Sequence, residues 1–358
     1  MNILILNWRD PKNPLAGGAE KLNLQILKPF IDKGDNVTWY SKSVENLPKE
    51  ETYKGIKIIR FGNIITHFVF FPIFLYTSRF GKVDFLIDCI HGIGYLSNIF
   101  SPFVKKRIFI CEVTRNIWDE MMPFPINKIG KFIEKIMFMI YSQNKFWTIS
   151  KSTKNDLVDF GIPSRNIQVL PMGFDVIKLS SIPAKYKQPI ALFVGRLAEM
   201  KGVKDAIRAI FELNMDSSRK WSLNIIGRGE EKYEKELKAL LLKLGMNKYV
   251  HFLGYVDDKK KFEEMAKAWI LLVPSSREGW GMIVGEANYV GTQVIAYKSP
   301  GLINSVPYYS KQNILVENFF QSIKDELKKI NKPFHTVNKL KPGWDDLERE
   351  IAIDINEK

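Results

Sequence analysis

Two glutamates toward the end of the chain have the spacing and the setting of a ligand site. Glu278 and Glu286 occur in the stretch PSSREGWGMIVGEA, with seven residues between them. The apolar run before this stretch predicts a buried strand, a loop follows at Gly279, Trp280 and Gly281, and a helical pattern comes next. Carboxylates accept hydrogen bonds from hydroxyls, and the free amides of a helix N-terminus suit phosphate. The stretch therefore favours a ligand that carries both groups, as a sugar nucleotide does, over a surface loop with a helix cap.

Two cationic residues follow the carboxyl end of an earlier predicted strand. The apolar run from Ile190 to Val194 predicts that strand, Arg196 lies at its exit, and Lys201 precedes a helical segment. Guanidinium and ammonium groups in such places neutralise phosphate oxygens, so a diphosphate is the predicted ligand. Ordinary surface charge is the alternative, and the shared strand exit favours phosphate binding.

A glycine pair follows the first predicted strand. Gly17 and Gly18 stand between the strand at Asn2 to Asn7 and a helical pattern. Residues without a side chain let a ligand approach the backbone closely, although the same pair also fits a tight turn.

The composition limits the class of protein. The chain has 358 residues, of which 46% are hydrophobic, enough for two domains with full cores. Its 53 basic and 39 acidic residues give a net charge of +14, which favours an anionic partner such as nucleotide phosphates or acidic lipid. The aromatic residues form no RNA-binding signature, so we expect no nucleic-acid partner.

The cysteines and the apolar stretches bear on the compartment. Cys89 and Cys111 have neither CxxC spacing nor a Cys/His cluster beside them, so we expect no disulfide framework and no metal site. No apolar stretch reaches the length of a membrane span, and the first residues do not resemble a signal peptide. We therefore expect a cytoplasmic protein.

Short apolar strands alternate with helical segments along the whole chain. This alternation predicts an α/β protein with two doubly wound, Rossmann-like domains that face each other across a cleft. The pattern weakens at residues 178–189, where we place the linker. The predicted domains are residues 1–180 and residues 186–340.

Several of these stretches resemble the family-four glycosyltransferases of the GT-B fold. The most specific are FVGRLAEMKG from Phe193, NIIGRGEE from Asn224 and REGWGMIVGEA from Arg277. GGAE from Gly17 and LPMGFD from Leu170 fit the landmarks of the first domain, and the resemblance covers nearly the whole chain. It implies a retaining hexosyltransferase that moves a sugar from a UDP- or GDP-sugar to a glycan or polyprenyl-linked acceptor. It also implies that the enzyme needs no metal ion or other cofactor.

The resemblance assigns roles to the acidic and basic candidates. Glu278 would hold the hydroxyls of the donor sugar, and Glu286 would hold the ribose hydroxyls. Arg196 and Lys201 would bind the diphosphate and stabilise it as a leaving group.

Other parts of the chain take their roles from the same resemblance. Gly279, Trp280 and Gly281 would complete the donor-binding loop, and Gly17 and Gly18 would close on the phosphates from the other side of the cleft. The last helix, residues 344–358, would cross back to the first domain.

The chain departs from the family at one position. The family often carries a histidine after the strand that here reads RIFIC, where this chain has Cys111 and Glu112. His91, at the end of the preceding predicted strand, is the alternative catalytic residue, and it fits a plain loop histidine equally well.

Two other functions remain open for the same residues. One is a sugar-nucleotide epimerase of this fold, which needs no separate acceptor. The other is a non-catalytic nucleotide-sugar-binding partner of an active transferase, for which the change at Cys111 is the motive.

A segment of the first domain has the pattern of an amphipathic helix. KIGKFIEKIMFMIY places six apolar residues on one helical stripe: Ile129, Phe132, Ile133, Ile136, Met137 and Ile140. We expect most of these side chains to pack on the sheet. Lysines on another face, a basic cluster at residues 105–107 and the apolar segment at residues 64–76 nevertheless predict peripheral docking of this domain on an anionic membrane.

Overall fold

The computed structural model describes residues 1–115, 117–334 and 343–356. The chain divides into two compact units. Unit 1 comprises Met1–Met172 and Trp344–Lys358, and unit 2 comprises Gly173–Gly343. The predicted linker at residues 178–189 thus falls inside unit 2, while residues 335–340 of the predicted second domain and residues 357–358 of the predicted last helix lie outside the described residues.

Unit 1 is built on a sheet of eight strands in the order β3-β4-β2-β1-β5-β6-β7-β8. Neighbouring strands are parallel except β3 and β4, which are antiparallel. The order reverses between β1 and β5, as in doubly wound folds. The strands are β1 (Asn2–Leu6), β2 (Asn36–Ser41), β3 (Glu50–Tyr53), β4 (Ile56–Arg60), β5 (Phe85–Ile90), β6 (Lys105–Ile110), β7 (Phe146–Thr148) and β8 (Ile167–Val169).

Helices connect the parallel strands of unit 1 and bury their apolar side chains. They are α1 (Gly18–Asp32), α2 (Thr66–Tyr76), α3 (Ser97–Phe100), α4 (Ile117–Met121), α5 (Ile126–Tyr141) and α6 (Lys151–Asp159). Phe71 and Phe74 of α2 pack with the buried residues of β1 and β2, and Met137 and Phe138 of α5 pack with those of β6 and β7. A side-chain cap begins α6, since the Ser150 hydroxyl accepts a hydrogen bond from the Thr153 amide at 3.1 Å.

Unit 2 has a sheet of six parallel strands in the order β11-β10-β9-β12-β13-β14. Its strands are β9 (Ile190–Val194), β10 (Ser222–Ile226), β11 (Val250–Gly254), β12 (Ile270–Val273), β13 (Gln293–Tyr297) and β14 (Ile314–Val316). Its helices are α7 (Val203–Asp216), α8 (Glu231–Leu244), α9 (Asp258–Lys267), α10 (Met282–Tyr289), α11 (Leu302–Tyr309) and α12 (Phe320–Lys329). The strand order reverses between β9 and β12, so the loops after these two strands flank the point where doubly wound folds bind ligands.

The last helix, α13 (Trp344–Asn356), packs against α1 within unit 1. A buried ion pair fixes it to the sheet, because Arg107 Nε of β6 lies 2.6 Å from Asp354 Oδ2. The indole N–H of Trp147 donates to the same carboxylate oxygen at 3.0 Å. The helix is therefore held by a polar contact as well as by apolar packing, which the amphipathic pattern alone does not specify.

The expectation for the apolar stripe of α5 is wrong. Ile129, Phe132, Ile133 and Ile136 are exposed, and of the predicted stripe Met137 is buried. The helix instead buries Glu134, whose carboxylate accepts hydrogen bonds from the backbone amides of the loop after β6 at 2.8 and 2.9 Å. These hydrogen bonds select the face that packs on the sheet and leave much of the apolar stripe on the surface.

The prediction that residues 105–107 form a basic cluster on the surface is also wrong. Lys106 and Arg107 are buried, and Lys105 donates to the Ile355 carbonyl oxygen at 2.7 Å. Burial lowers the pKa of Lys106, although the Asp88 carboxylate opposes this effect. These cations therefore stabilise the interior of unit 1 and its contact with α13.

Candidate active site

The central contact of the candidate site joins Lys201 and Glu278 of unit 2. Lys201 lies in the segment after β9 and Glu278 in the loop after β12, on the two sides of the point where the strand order reverses. The Lys201 Nζ atom lies 2.5 Å from Glu278 Oε1, and the Ser275 hydroxyl donates to the same oxygen at 3.2 Å. The lysine side chain is 21% exposed and the glutamate 18%, so both remain reachable from solvent.

The loops that carry this pair are packed backbone against backbone. The Ser276 amide donates to the Met200 carbonyl oxygen at 3.0 Å, which ties the two loops together. A Cβ atom on Gly202 would lie 2.0 Å from the Pro274 carbonyl oxygen, and one on Gly301 would lie 2.2 Å from the Glu278 carbonyl oxygen. Glycine is required at both positions, since both also have positive φ. The geometry of the Lys201–Glu278 pair is therefore fixed by the loops and not by the two side chains alone.

Arg196 lies at the same strand end and points into solvent. Its side chain is exposed, and its Nη2 atom lies 4.0 Å from the Met200 sulfur. Among the described residues it forms no ion pair with a carboxylate. Its guanidinium therefore keeps its hydrogen-bond donors for an external acceptor.

Glu286, the second predicted glutamate, is buried in α10 and faces a cation that sequence reasoning missed. Lys261 Nζ of α9 lies 2.8 Å from Glu286 Oε2, and both side chains are largely buried. Burial lowers the pKa of Lys261, but the carboxylates of Glu286 and Asp258 raise it by more, so the net shift is upward. Lys261 is therefore charged at neutral pH. A signal for Lys261 exists, because it lies four residues before the buried Met265 and shares its helical face.

The glycine loop places its tryptophan inward. Trp280 is 9% exposed, and its indole N–H donates to the Tyr309 hydroxyl at 2.8 Å. Gly281 caps α10 with a φ of 86°, and Gly279 is half-buried beside Gly301. The Trp280 side chain therefore anchors the loop, and only backbone groups of this loop segment are available to a ligand.

The predicted first-domain candidates lie in unit 1. Gly17 and Gly18 are exposed at the start of α1, after β1, and the Gly17 amide donates to the Glu20 carboxylate at 2.7 Å. One of the amides expected to meet phosphate therefore already has an acceptor within the helix.

His91 follows β5, on the other side of the strand-order reversal in unit 1. Its ring lies 6.1 Å from that of Trp8, and its Nε2 atom is buried with no hydrogen-bond partner among the described residues. Burial, together with the charge of Arg9, lowers the pKa of His91 to about 4. The imidazole is therefore neutral at pH 7. Cys111 is also poorly reactive, since burial raises the pKa of its thiol to about 12.

Metal-ligand groups and membrane spans are absent from the part of the chain that the structure describes. No group of three or more His, Cys, Asp or Glu side chains there has the geometry to hold a metal ion. No helix within those same ranges combines the length and the apolar character that crossing a bilayer requires.

Two sheets with this strand order, each with its reversal point flanked by candidate ligand-binding loops, are those of the GT-B fold. Similar solved structures have this fold. Sucrose-phosphate synthase from Thermosynechococcus elongatus matches with a TM-score of 0.73 at 17% identity, over 99% of this chain and 96% of that one. The Anabaena protein HepE in complex with UDP and glucose matches with a TM-score of 0.67 at 16% identity, over 99% of this chain and 95% of that one.

The sequence comparisons match one region of the chain to a known family. Residues 178–334 match the family model "Glycosyl transferases group 1". An uncharacterised glycosyltransferase of Methanocaldococcus jannaschii is 25% identical over 336 residues, which cover 86% of this chain and 83% of the relative. Residues 178–334 therefore belong to the group 1 glycosyltransferases, and the protein is an enzyme of the hexosyltransferase class.

The Lys261–Glu286 pair yields a stability prediction. Lys261→Met leaves the buried Glu286 carboxylate without this cation and should lower the free energy of unfolding of unit 2 by about 3–5 kcal/mol at pH 7. Because the folded-state pKa of Lys261 is raised, the contribution is complete below the ordinary lysine value of 10.5 and is lost as the pH rises through the raised value. Urea denaturation combined with hydrogen exchange in α9 and α10 measures the change.

Lys259→Met is the matched control, because this neighbouring lysine is exposed. It should change the free energy of unfolding by less than about 0.5 kcal/mol. The double variant Lys261→Met/Glu286→Gln should recover part of the lost stability. Equal stability of Lys261→Met and the unaltered protein would show that the ion pair contributes nothing.

Proposed function

We propose that this enzyme transfers a sugar from a nucleoside diphosphate sugar to a glycan or lipid-linked acceptor. The observation that carries the proposal is the Lys201–Glu278 contact at the strand-order reversal of unit 2. It offers a carboxylate for sugar hydroxyls and a cation for phosphate within one contact distance. The Anabaena HepE structures, one with UDP and glucose and one with UDP-glucose, support a nucleotide-sugar ligand for this fold.

The carboxylates have complementary roles in this proposal. Lys201 and Ser275 both contact Glu278 Oε1, so the Oε2 atom is placed to accept from hydroxyls of the donor sugar. Glu286, fixed through Lys261, would accept from the ribose hydroxyls. A charged acceptor strengthens each such hydrogen bond, typically to about 1.5–3 kcal/mol.

The basic residues would assist departure of the nucleoside diphosphate. When the bond between the anomeric carbon and the phosphate oxygen breaks, negative charge accumulates on the diphosphate. An ammonium group has three N–H donors, so Lys201 can keep its bond to Glu278 while donating to phosphate, and Arg196 adds a second cation. We infer from this basic pair that the reaction proceeds without a metal ion, and that the activity survives EDTA.

The family resemblance supports a proposal for the stereochemistry of the transfer and for the nucleotide of the donor. We propose transfer with retention of the anomeric configuration and a UDP- or GDP-sugar as donor. A panel of nucleotide sugars tested by thermal shift identifies the donor, because a bound ligand stabilises the native state. The anomeric configuration of the product, measured by NMR, tests retention.

The acceptor side of the proposal rests on the exposed surface of α5. Ile129, Phe132 and Met139 are 52%, 65% and 63% exposed, an unusual set of large apolar side chains on one helix. Lys128 and Lys135 on the same helix are exposed as well, whereas Lys131 pairs with Asp119. Apolar side chains beside cations complement an anionic lipid surface, so we propose peripheral docking of unit 1 on such a membrane and a lipid-linked acceptor there.

Glu278→Gln tests the proposed donor contact. The neutral amide loses both the ion pair with Lys201 and the charged acceptor for the sugar, so transfer should fall by at least about tenfold while the fold is retained. Glu317→Gln is the matched control, since this glutamate is exposed at the surface of unit 2. Transfer by Glu278→Gln at the rate of the control would contradict the assignment.

The same assay separates the two alternative functions. An epimerase would convert the donor without any acceptor, and a non-catalytic binder would bind the donor without turnover. Transfer that requires both donor and acceptor supports the proposal, whereas either alternative result replaces it.

Liposome co-sedimentation tests the membrane contact. Binding should increase with the fraction of anionic lipid and decrease with salt. Reversing two cations with Lys128→Glu/Lys135→Glu should weaken binding by more than about tenfold, because each cation near the surface contributes about 1 kcal/mol.

Lys238→Glu/Lys243→Glu provides the matched control. It changes the net charge equally at two exposed lysines of α8 in unit 2. The proposal requires that this control bind like the unaltered protein. Protein that stays in the supernatant with anionic vesicles at low salt, or equal loss in both double variants, contradicts docking through α5.

A further inference from the structure

A cavity of about 370 Å³ opens at the amino-terminal edge of the unit 1 sheet, near its last strand. Its lining includes Lys145, just before β7, the segment Ser164 to Asn166, just before β8, and part of α13. The predicted donor contacts of unit 1 at Gly17, Gly18 and His91 follow strands at the opposite edge of this sheet. The cavity shares no residue with them or with the Lys201–Glu278 site.

The floor of the cavity is the buried ion pair that fixes α13. Arg107 donates from Nε to Asp354 Oδ2 at 2.6 Å and from Nη2 to the Asp354 carbonyl oxygen at 3.1 Å. Its Nη1 atom donates to the Lys106 carbonyl oxygen at 3.1 Å. The floor is therefore preformed and close to neutral, and the other charges of the lining decide what the cavity attracts.

The remaining charges are mostly positive. Among the described residues of the lining, Lys145, Lys154 and Arg165 are further cations, and Glu350 carries the one further carboxylate. Lys154 Nζ is held by the Ile167 carbonyl oxygen at 3.0 Å, a neutral acceptor that leaves its charge in place. Arg165 is exposed and forms no hydrogen bond or ion pair with another residue in the described ranges. Such a wall matches a phosphate group, which a guanidinium binds through two parallel hydrogen bonds.

A different part of the lining needs a hydrogen-bond donor. Gln168 donates from Nε2 to Glu350 Oε2 at 3.3 Å, which orients its amide. Its Oε1 atom is buried, and within the described part of the chain it has no donor. A buried acceptor without a partner costs free energy, and a ligand hydroxyl would satisfy it.

We propose that this cavity binds a small phosphorylated polyol of the size of a hexose phosphate. The phosphate would contact Arg165 and Lys154, and a hydroxyl would donate to Gln168 Oε1. A volume near 370 Å³ lies within the range of small-molecule sites. Because α13 forms one wall and the strand ends form the others, the ligand also connects α13 to the sheet and slows its local opening.

Calorimetric titration of glucose 6-phosphate into the full chain tests the proposal. We expect saturable binding of one molecule per chain, and the same binding in Lys201→Ala, which leaves the cavity unaltered. Arg165→Ala should weaken binding by about tenfold or more, as expected for a lost charged hydrogen bond. Amide hydrogen exchange in α13 should slow when the ligand is present.

Two further arms separate phosphate recognition from polyol recognition. Gln168→Met should weaken the binding of glucose 6-phosphate and leave that of inorganic phosphate unchanged. Arg349→Ala is the charge control, because it removes an exposed cation of α13 that does not line the cavity, and it should bind normally.

Three results would overturn the proposal. They are the absence of saturable heat at millimolar ligand, equal affinities of Arg165→Ala and the unaltered protein, and inorganic phosphate that binds as tightly as glucose 6-phosphate.

Discussion

The reversal of strand order between β9 and β12 is the constraint on which the candidate site depends. Parallel strands place all their carboxyl ends at one edge of a sheet, and the connections leave in opposite directions where the order reverses. Lys201 after β9 and Glu278 after β12 therefore meet, although 76 residues separate them in sequence. Gly202 and Gly301 allow the loops to approach within backbone contact, so the cation and the carboxylate are in place before any ligand arrives. Such preorganisation lowers the cost of ordering the site when a donor binds.

Buried polar groups organise unit 1 in a comparable way. Glu134 directs one face of α5 inward by accepting two backbone amides, and the apolar side chains of another face are left on the surface. Asp354 fixes α13 by pairing with Arg107 and by accepting from Trp147. Each of these groups would be costly to bury alone, so their partners determine where the helices pack. The proposed membrane surface and the proposed phosphate cavity both result from these buried polar contacts.

Much of the fold could be predicted from the sequence, because buried parallel strands appear as short apolar runs between helical patterns. The strand at residues 190–194 begins and ends where the pattern places it. β3 was not predicted, because EETY is a polar edge strand, and β14 has only three residues. Pro29 lies inside α1, which nevertheless continues to Asp32. The Lys201–Glu278 site could be predicted from the sequence because both residues lie in recognisable motifs. Lys261 was missed because it lies in a run of lysines, where its spacing of four residues from the apolar Met265 is the signal that distinguishes it from its exposed neighbours.

The affinity of the protein for a nucleotide and for the corresponding nucleotide sugar tests the central claim most directly. If Lys201 holds the diphosphate while Glu278 holds the sugar, Lys201→Met weakens the binding of both ligands. Glu278→Gln then weakens the binding of the nucleotide sugar by about tenfold relative to the nucleotide alone. Calorimetry with UDP and UDP-glucose, or with GDP and GDP-mannose if the guanine nucleotide binds, gives the affinities of the unaltered protein and of both variants for the two ligands. Equal losses for nucleotide and nucleotide sugar in Glu278→Gln, or unchanged affinities in both variants, would contradict this account of the site.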